Sequence, residues 1–251
     1  MNKKILVLIP MALLALALLT GCINVNIGGG SRTVRGTGQM VTRSIDVSSF
    51  DAIDISGNFR VVYRQAPEAA LTVRMQENLF THLDTAVRDG ILNVDSRRNF
   101  DTTSANRPTL YVYAPNLTEA VFGGAVSAAG WDMISGDSFS VVAAGAVNMD
   151  IAIEVRQLDI NVSGAGNLTL DMTVAELNLD IAGAATANLS GAANVINIDG
   201  AGAFNISAGD LEIESGRVNA SGAANVNLST LENVTVSVTG LARVRAVVGG
   251  G

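Results

Sequence analysis

Residues 158–172 read LDINVSGAGNLTLDM, and the phase of their apolar positions decides the fold. Leu158, Ile160 and Val162 precede Gly164 by even numbers of residues; Gly166, Leu168, Leu170 and Met172 follow it by even numbers. Asp159 and Asn161 occupy the alternate positions. A two-residue period is that of a half-buried strand, and a helical period does not fit it. The same phase recurs around other glycines. Leu177, Leu179 and Ile181 precede Gly183; Phe139, Val141 and Ala143 precede Gly145; Val234, Val236 and Val238 precede Gly240; Val226 and Leu228 follow Gly222.

These glycines form a series: Gly124, Gly145, Gly164, Gly183, Gly200, Gly222 and Gly240, at intervals of 21, 19, 19, 17, 22 and 18 residues. A period near twenty, built from short strands, predicts a parallel β-helix in which each strand pairs with its equivalent one coil later. At roughly 4.8 Å per coil, seven coils span about 34 Å. The glycines are expected to face inward, with Ala185, Gly202, Ala224 and Ala242 two positions on, where facing sheets approach too closely for larger side chains. Proline occurs only at positions 10, 67, 108 and 115, as a continuous ladder in the C-terminal half requires. Arg243 and Arg245 on the polar face of the last strand oppose edge-to-edge recruitment of another chain.

The N-terminus has a different character. Lys3 and Lys4 precede an apolar run from Ile5 to Leu19, interrupted only by Pro10, which is the layout of a secretory signal over residues 1–21. Leu19, Thr20, Gly21 and Cys22 resemble a bacterial lipobox, which implies lipid attachment at Cys22 and a membrane partner through that lipid. Ile23 after the cysteine favours the outer membrane if the envelope has two. Cys22 is the only cysteine, so no intramolecular disulfide can form. Residues 22–39 are polar and glycine-rich, and are expected to be a flexible tether.

A single domain is expected over 40–251, less regular across 40–115 and regular across 116–248. Gly57, between Ile55 and Phe59, has the phase of the later glycines and marks an early coil. Asp89–Gly90 predicts a tight turn between two short strands, Glu77–Leu83 a helical turn or loop, and 96–107 a loop. The succession FDAIDISGNFRVVYRQ (50–65), LTVRMQENL (71–79), VRDGILNV (87–94) and LYVYAPNLTEAVFGGAVSA (110–128), followed by glycine-alanine-asparagine repeats, resembles the DUF2807 family, the putative auto-transporter adhesin head GIN domain. The resemblance spans about residues 45–240. It implies a right-handed parallel β-helix exposed outside the cell, and it brings no established active-site residues with it.

Composition narrows the function. Cleavage before Cys22 would remove both lysines and leave fourteen arginines against twenty-three acidic residues, a net charge of −9. That surface repels nucleic acid, and a neutral glycan suits it better than a polyanionic one. His82 is the only histidine and has no nucleophile motif beside it, so no catalytic residue is expected. The sequence lacks a histidine or cysteine cluster for a metal and any cofactor motif. A structural calcium ion remains open, because Asp150, Asp159, Asp171, Asp180, Asp199 and Asp210 recur on outward faces. Asn148, Asn167 and Asn225 stand three residues after their glycines, and Asn188, Asn205 and Asn227 five after theirs; stacked coils would align them into amide ladders.

The expected function is that of a lipid-anchored, extracytoplasmic, non-catalytic binding or adhesion module for a surface glycan or protein. Its ligand-binding residues are not assignable from sequence. The alternatives are a structural or self-assembling envelope protein and, on fold analogy alone, a polysaccharide-cleaving enzyme.

Overall fold

The computed structural model describes residues 33–230 and 233–248. The expected signal over residues 1–21 and the expected lipid site Cys22 lie outside the described residues. The protein is all-β. Its strands are β1 (Val34–Arg35), β2 (Met40–Ile45), β3 (Ala52–Gln65), β4 (Ala70–Gln76), β5 (Leu83–Arg88), β6 (Ile91–Ser96), β7 (Phe100–Asp101), β8 (Thr109–Ala114), β9 (Glu119–Ala129), β10 (Ile134–Thr230), β11 (Asn233–Gly240) and β12 (Arg243–Val248). The 97 residues of β10 run as unbroken ladder, which is possible because no proline interrupts them.

Pairing in the C-terminal half is parallel and follows the glycines. Gly124 of β9 lies opposite Gly57 of β3, Gly145 opposite Gly124, and Gly240 opposite Gly222. Within β10, a Cβ placed on Gly164, Gly183, Gly202 or Gly222 would strike the carbonyl oxygen of Gly145, Gly164, Gly183 or Gly202 respectively. The repeat marker in the fifth coil is therefore Gly202, not Gly200. With Gly202 in place the successive intervals from Gly164 are 19, 19, 20 and 18 residues, more even than the sequence series. Gly200 occupies a buried position in which its Cβ would meet the Phe204 ring.

The expectation that the glycines of the series face inward holds for Gly200, which is buried, and fails at the corner glycines. Gly124, Gly145, Gly164, Gly202 and Gly222 are exposed, and in each coil the exposed residues on either side mark a corner between two strand segments. Inward alternation resumes two residues away, as at Val162 and Gly166 around Gly164. Two constraints require glycine at the corner. Its φ is positive, +126° at Gly164 and +140° at Gly183, and the backbone of the preceding coil occupies the space a Cβ would need. The parity rule survives because the corner changes strand direction without adding a residue to the alternation.

One continuous apolar core runs from Phe50 to Leu228. At the N-terminal end β2, β4 and β8 form antiparallel pairs, and β8 joins β3 in parallel. β5 and β6 form a hairpin about Asp89 and Gly90, both at positive φ, in the turn the sequence predicts. Aromatic side chains close this end: Phe59 packs edge-on to Phe100 at 6.1 Å, and Trp131 lies 5.8 Å from Tyr63 while donating its indole N–H to the Val61 carbonyl.

Two segments expected to be irregular are held. β1 pairs in parallel with β7, placing Phe100 of the expected 96–107 loop in the core. The Thr37 amide donates to Asn78 Oδ1, and Asn78 Nδ2 donates to the Arg35 carbonyl. Residues 34–37 of the expected tether are thus docked. Backbone pairing overrides their glycine-rich composition, because the partner strand supplies the hydrogen bonds that an isolated polar segment lacks.

Gly183→Ala is expected to destabilise the protein by more than about 1 kcal/mol, because a Cβ is forced into both a positive φ and the neighbouring carbonyl. Gly209→Ala, where the Cβ meets only Asn227 at 3.7 Å and φ is ordinary, is expected to stay within about 0.5 kcal/mol of the parent. Denaturant midpoints of the two variants check the contrast.

Candidate functional site

Two outward faces meet at the glycine corner, and each presents one polar side chain per coil at fixed offsets. Five residues before the glycines stand Asp159, Asn178, Asn197 and Arg217; three before stand Asn161, Asp180, Asp199 and Asn219. Asn178 donates its Nδ2–H to Asp159 Oδ1 at 2.8 Å, and Asn197 donates to Asn178 Oδ1 at 2.9 Å. In the adjoining column Asn219 donates to Asp199 Oδ1 at 2.7 Å. Hydrogen bonds along the stack fix these amides, and Asn197 Nδ2 donates to Glu176 Oε1 at 3.2 Å as well. A shallow depression of about 380 Å³ lies over this face, lined by Asn161, Asp180, Asp199, Asn219, Ser221 and Ser237 among others.

The face after the glycines is flatter and less charged. Ala146, Ala165, Ala184 and Ala203 follow the glycines directly, and Asn148, Asn167, Thr186, Asn205 and Asn225 stand three residues on. Asn225 donates to Asn205 Oδ1 at 3.0 Å. A single rung of the predicted amide ladders forms here, between residues expected in different columns; Asn205 falls in the third-position column because Gly202 is the corner, and Thr186 interrupts that column. The ladder through Asp159, Asn178 and Asn197 was missed, although the same offset from Gly164, Gly183 and Gly202 would have revealed it. A second depression, about 440 Å³, overlies the alanines. At its N-terminal end Arg107 donates Nη2–H to the Ala125 carbonyl at 2.7 Å, while its Nε is buried without a partner. Burial lowers the affinity of this guanidinium for its proton.

Of the aspartates named from sequence, Asp159, Asp180 and Asp199 are near enough for their charges to interact, but none of the named aspartates gathers into a metal site. Asp159 accepts from Gln157 and Asn178, and Asp171 accepts from Ser190. Among the described residues no three of histidine, cysteine, aspartate or glutamate are placed to hold a metal ion. Asp180 is the perturbed member: partial burial, then the charges of Asp199 and Asp159, push its carboxyl above the ordinary value. Asp54 is pushed up in the same way, by burial and then by Asp95. His82 ends a short 3-10 turn, Glu77–His82, remote in the fold from the repeated faces. Its carbonyl accepts from the Arg97 amide, a structural bond.

The comparisons with known proteins agree with this architecture. The model of the DUF2807 family, described as putative auto-transporter adhesin, head GIN domain, matches residues 49–249. A putative adhesin from Bacteroides fragilis is similar in structure at 18% identity and a TM-score of 0.72, over 85% of this chain and 100% of that one. A putative adhesin from Parabacteroides merdae matches at 20% identity and 0.69, over 86% and 99%. A crystal structure from Parabacteroides distasonis described as a putative lipid binding protein matches at 20% identity and 0.69, over 86% and 100%. No protein of curated function matches the chain.

Because Asp180 binds its proton more tightly in the folded state, its contribution favours folding at low pH and is lost as pH rises through the raised value. Asp180→Asn is accordingly expected to raise the melting temperature at neutral pH. The gain should vanish below the ordinary aspartate value of 3.8, where parent and variant are both neutral at this position. Thermal unfolding across pH checks the sign.

Proposed function

The chain belongs to the DUF2807 family, and from that premise we propose that it is a cell-surface lipoprotein whose β-solenoid head binds an extracellular ligand without catalysis. The observation that carries this reading is the pair of repeated polar faces beside the glycine corner. Each offers amides, hydroxyls and a few carboxylates at one strand spacing, with flat open surfaces in place of a cleft. Neutral donors and acceptors in register suit an uncharged, repetitive ligand such as a glycan; a protein surface is the other ligand class. The parallel registers and the glycine contacts support a parallel β-helix as the form of the head, and the family resemblance implies the right hand. In this reading attachment comes from lipid on Cys22, after a signal over 1–21, as the lipobox-like Leu19-Thr20-Gly21-Cys22 suggests, and the part of the tether that precedes Val34 follows it. The acidic surface, net −9 after cleavage before Cys22, favours neither nucleic acid nor a polyanion.

One observation favours a second reading. Gly202 stacks on Gly183, so Asp199 stands beside Asp180, and a neighbouring pair of carboxyl groups, one of them with its proton affinity raised, is the kind of pair used in glycoside hydrolysis. Both are exposed on an open face, with nothing to exclude water or to clamp a sugar ring, and binding is therefore the better reading. A structural or self-assembling envelope role is the remaining alternative.

Incubating the purified chain with cell-wall and host glycans, and recording retained ligand and released oligosaccharide together, separates these readings. Retention without products is the expected result; products abolished by Asp180→Asn would replace binding with hydrolysis. In cells, Cys22→Ala is expected to abolish incorporation of labelled fatty acid and shift the protein from the membrane to the soluble fraction. Unchanged labelling would remove the anchor from this account.

A further inference from the structure

The sheet is covered at one end and open at the other. β11 lies parallel to residues 215–222 and β12 to residues 225–230, and among the described residues neither pairs on its far side. Register partners across this last step differ sharply. Val218 and Ala220 are 0% and 3% exposed, whereas Val236 and Val238, which lie opposite them with the same inward parity, are each 42% exposed. Val226 is fully buried while its partner Val244 is only partly so. Leu241 is 89% exposed at the corner position where all six preceding repeats carry alanine. These valines have the sequence of core residues and, among the described residues, no next strand to make them core.

The outward side of the same edge changes charge. Where the preceding coil has Asn225 and Asn227, β12 has Arg243 and Arg245, both exposed. The ion pairs among the described residues join Arg43 to Glu77, Arg64 to Asp132, Arg97 to Asp84 and Arg156 to Asp137, and neither terminal arginine takes part.

We infer that this edge receives an extended strand from a partner protein, apolar at its inward positions and acidic at its outward ones. The unpaired backbone groups of an edge strand supply the hydrogen bonds of such an addition, and the alternate side chains supply its specificity. Apolar inward residues would complete the burial of Val236, Val238 and Val244. Carboxylates two residues apart on the outer face would stand opposite Arg243 and Arg245 as cross-strand pairs. A second copy joined edge to edge and antiparallel would instead set arginine against arginine, which is destabilising. The inference rests on the reading of this chain as a binding protein, but on neither of its polar faces.

The test titrates the full chain into a labelled, end-capped peptide Glu-Val-Glu-Val-Glu-Val, with Lys-Val-Lys-Val-Lys-Val as counterpart, followed by fluorescence anisotropy. Saturable binding of the acidic peptide alone, weakened by added salt, is expected. Arg243→Glu together with Arg245→Glu, at exposed positions that folding does not depend on, should weaken the acidic peptide roughly tenfold or more and admit the basic one. Failure of the acidic peptide to bind, or equal binding of both peptides, overturns the inference. So does sedimentation that shows a dimer abolished by Val238→Lys, which would put a second copy on the edge. If peptide binding fails while glycan retention persists, the edge inference falls and the binding function stands.

Discussion

Each corner glycine lies against the backbone of the glycine before it, and this contact sets the rest of the structure. From Gly57 to Gly240 the column consists of peptide groups touching peptide groups, with no room for a Cβ and with φ in the region that only glycine enters freely. Close approach brings successive strands to hydrogen-bonding distance on both sides of the corner at once. The register of every coil follows from it, because shifting one coil by a residue would move a side chain into the column and turn its valines and leucines to solvent.

That constraint also explains how the chain tolerates irregularity elsewhere. Between Gly57 and Gly124 the chain inserts β4 to β8 and the hairpin about Asp89 and Gly90, yet the two glycines are register partners. Within the insertion β4 pairs with β8 and β5 with β6 in antiparallel fashion, while β6 and β8 join β3 of the first coil in parallel; Phe59, Phe100, Tyr63 and Trp131 close the core here. Loop closure costs little more for a long insertion than for a short one, so an excursion of this length is compatible with the stack provided it buries its own apolar face. Leu71, Val73, Met75, Leu79, Leu110 and Val112 do so.

A scaffold held by its corner leaves its outward positions free to vary in chemistry. On one face they carry Asp180, Asp199, Asn161 and Asn219; on the other they carry alanine and asparagine over the depression that Arg107 overlooks. The amides bond to one another along the stack, as in the pair Asn225 and Asn205, so their geometry is preorganised before any ligand arrives. The histidine and the perturbed carboxylates Asp54 and Asp180 lie on different elements of the fold.

Much of this was legible in the residues themselves. Alternation about Gly164 specifies strands, because side chains project to opposite faces every residue; the absence of proline after Pro115 permits the unbroken ladder of β10; and Asp89–Gly90 specifies its turn by backbone conformation alone. Three features needed the tertiary structure. The choice of Gly202 over Gly200 depends on which glycine touches Gly183, a contact between residues nineteen apart that local pattern cannot distinguish from its neighbour two positions away. The outward direction of the corner glycines depends on the bend of the chain, which parity does not record. The exposure of Val236 and Val238 follows from the lack of a further strand beside them among the described residues, so that one alternating sequence makes a core in β10 and an open edge in β11. Sequence determined which side of each strand is apolar; only the stacking decided whether that side is covered, because burial is a property of neighbours.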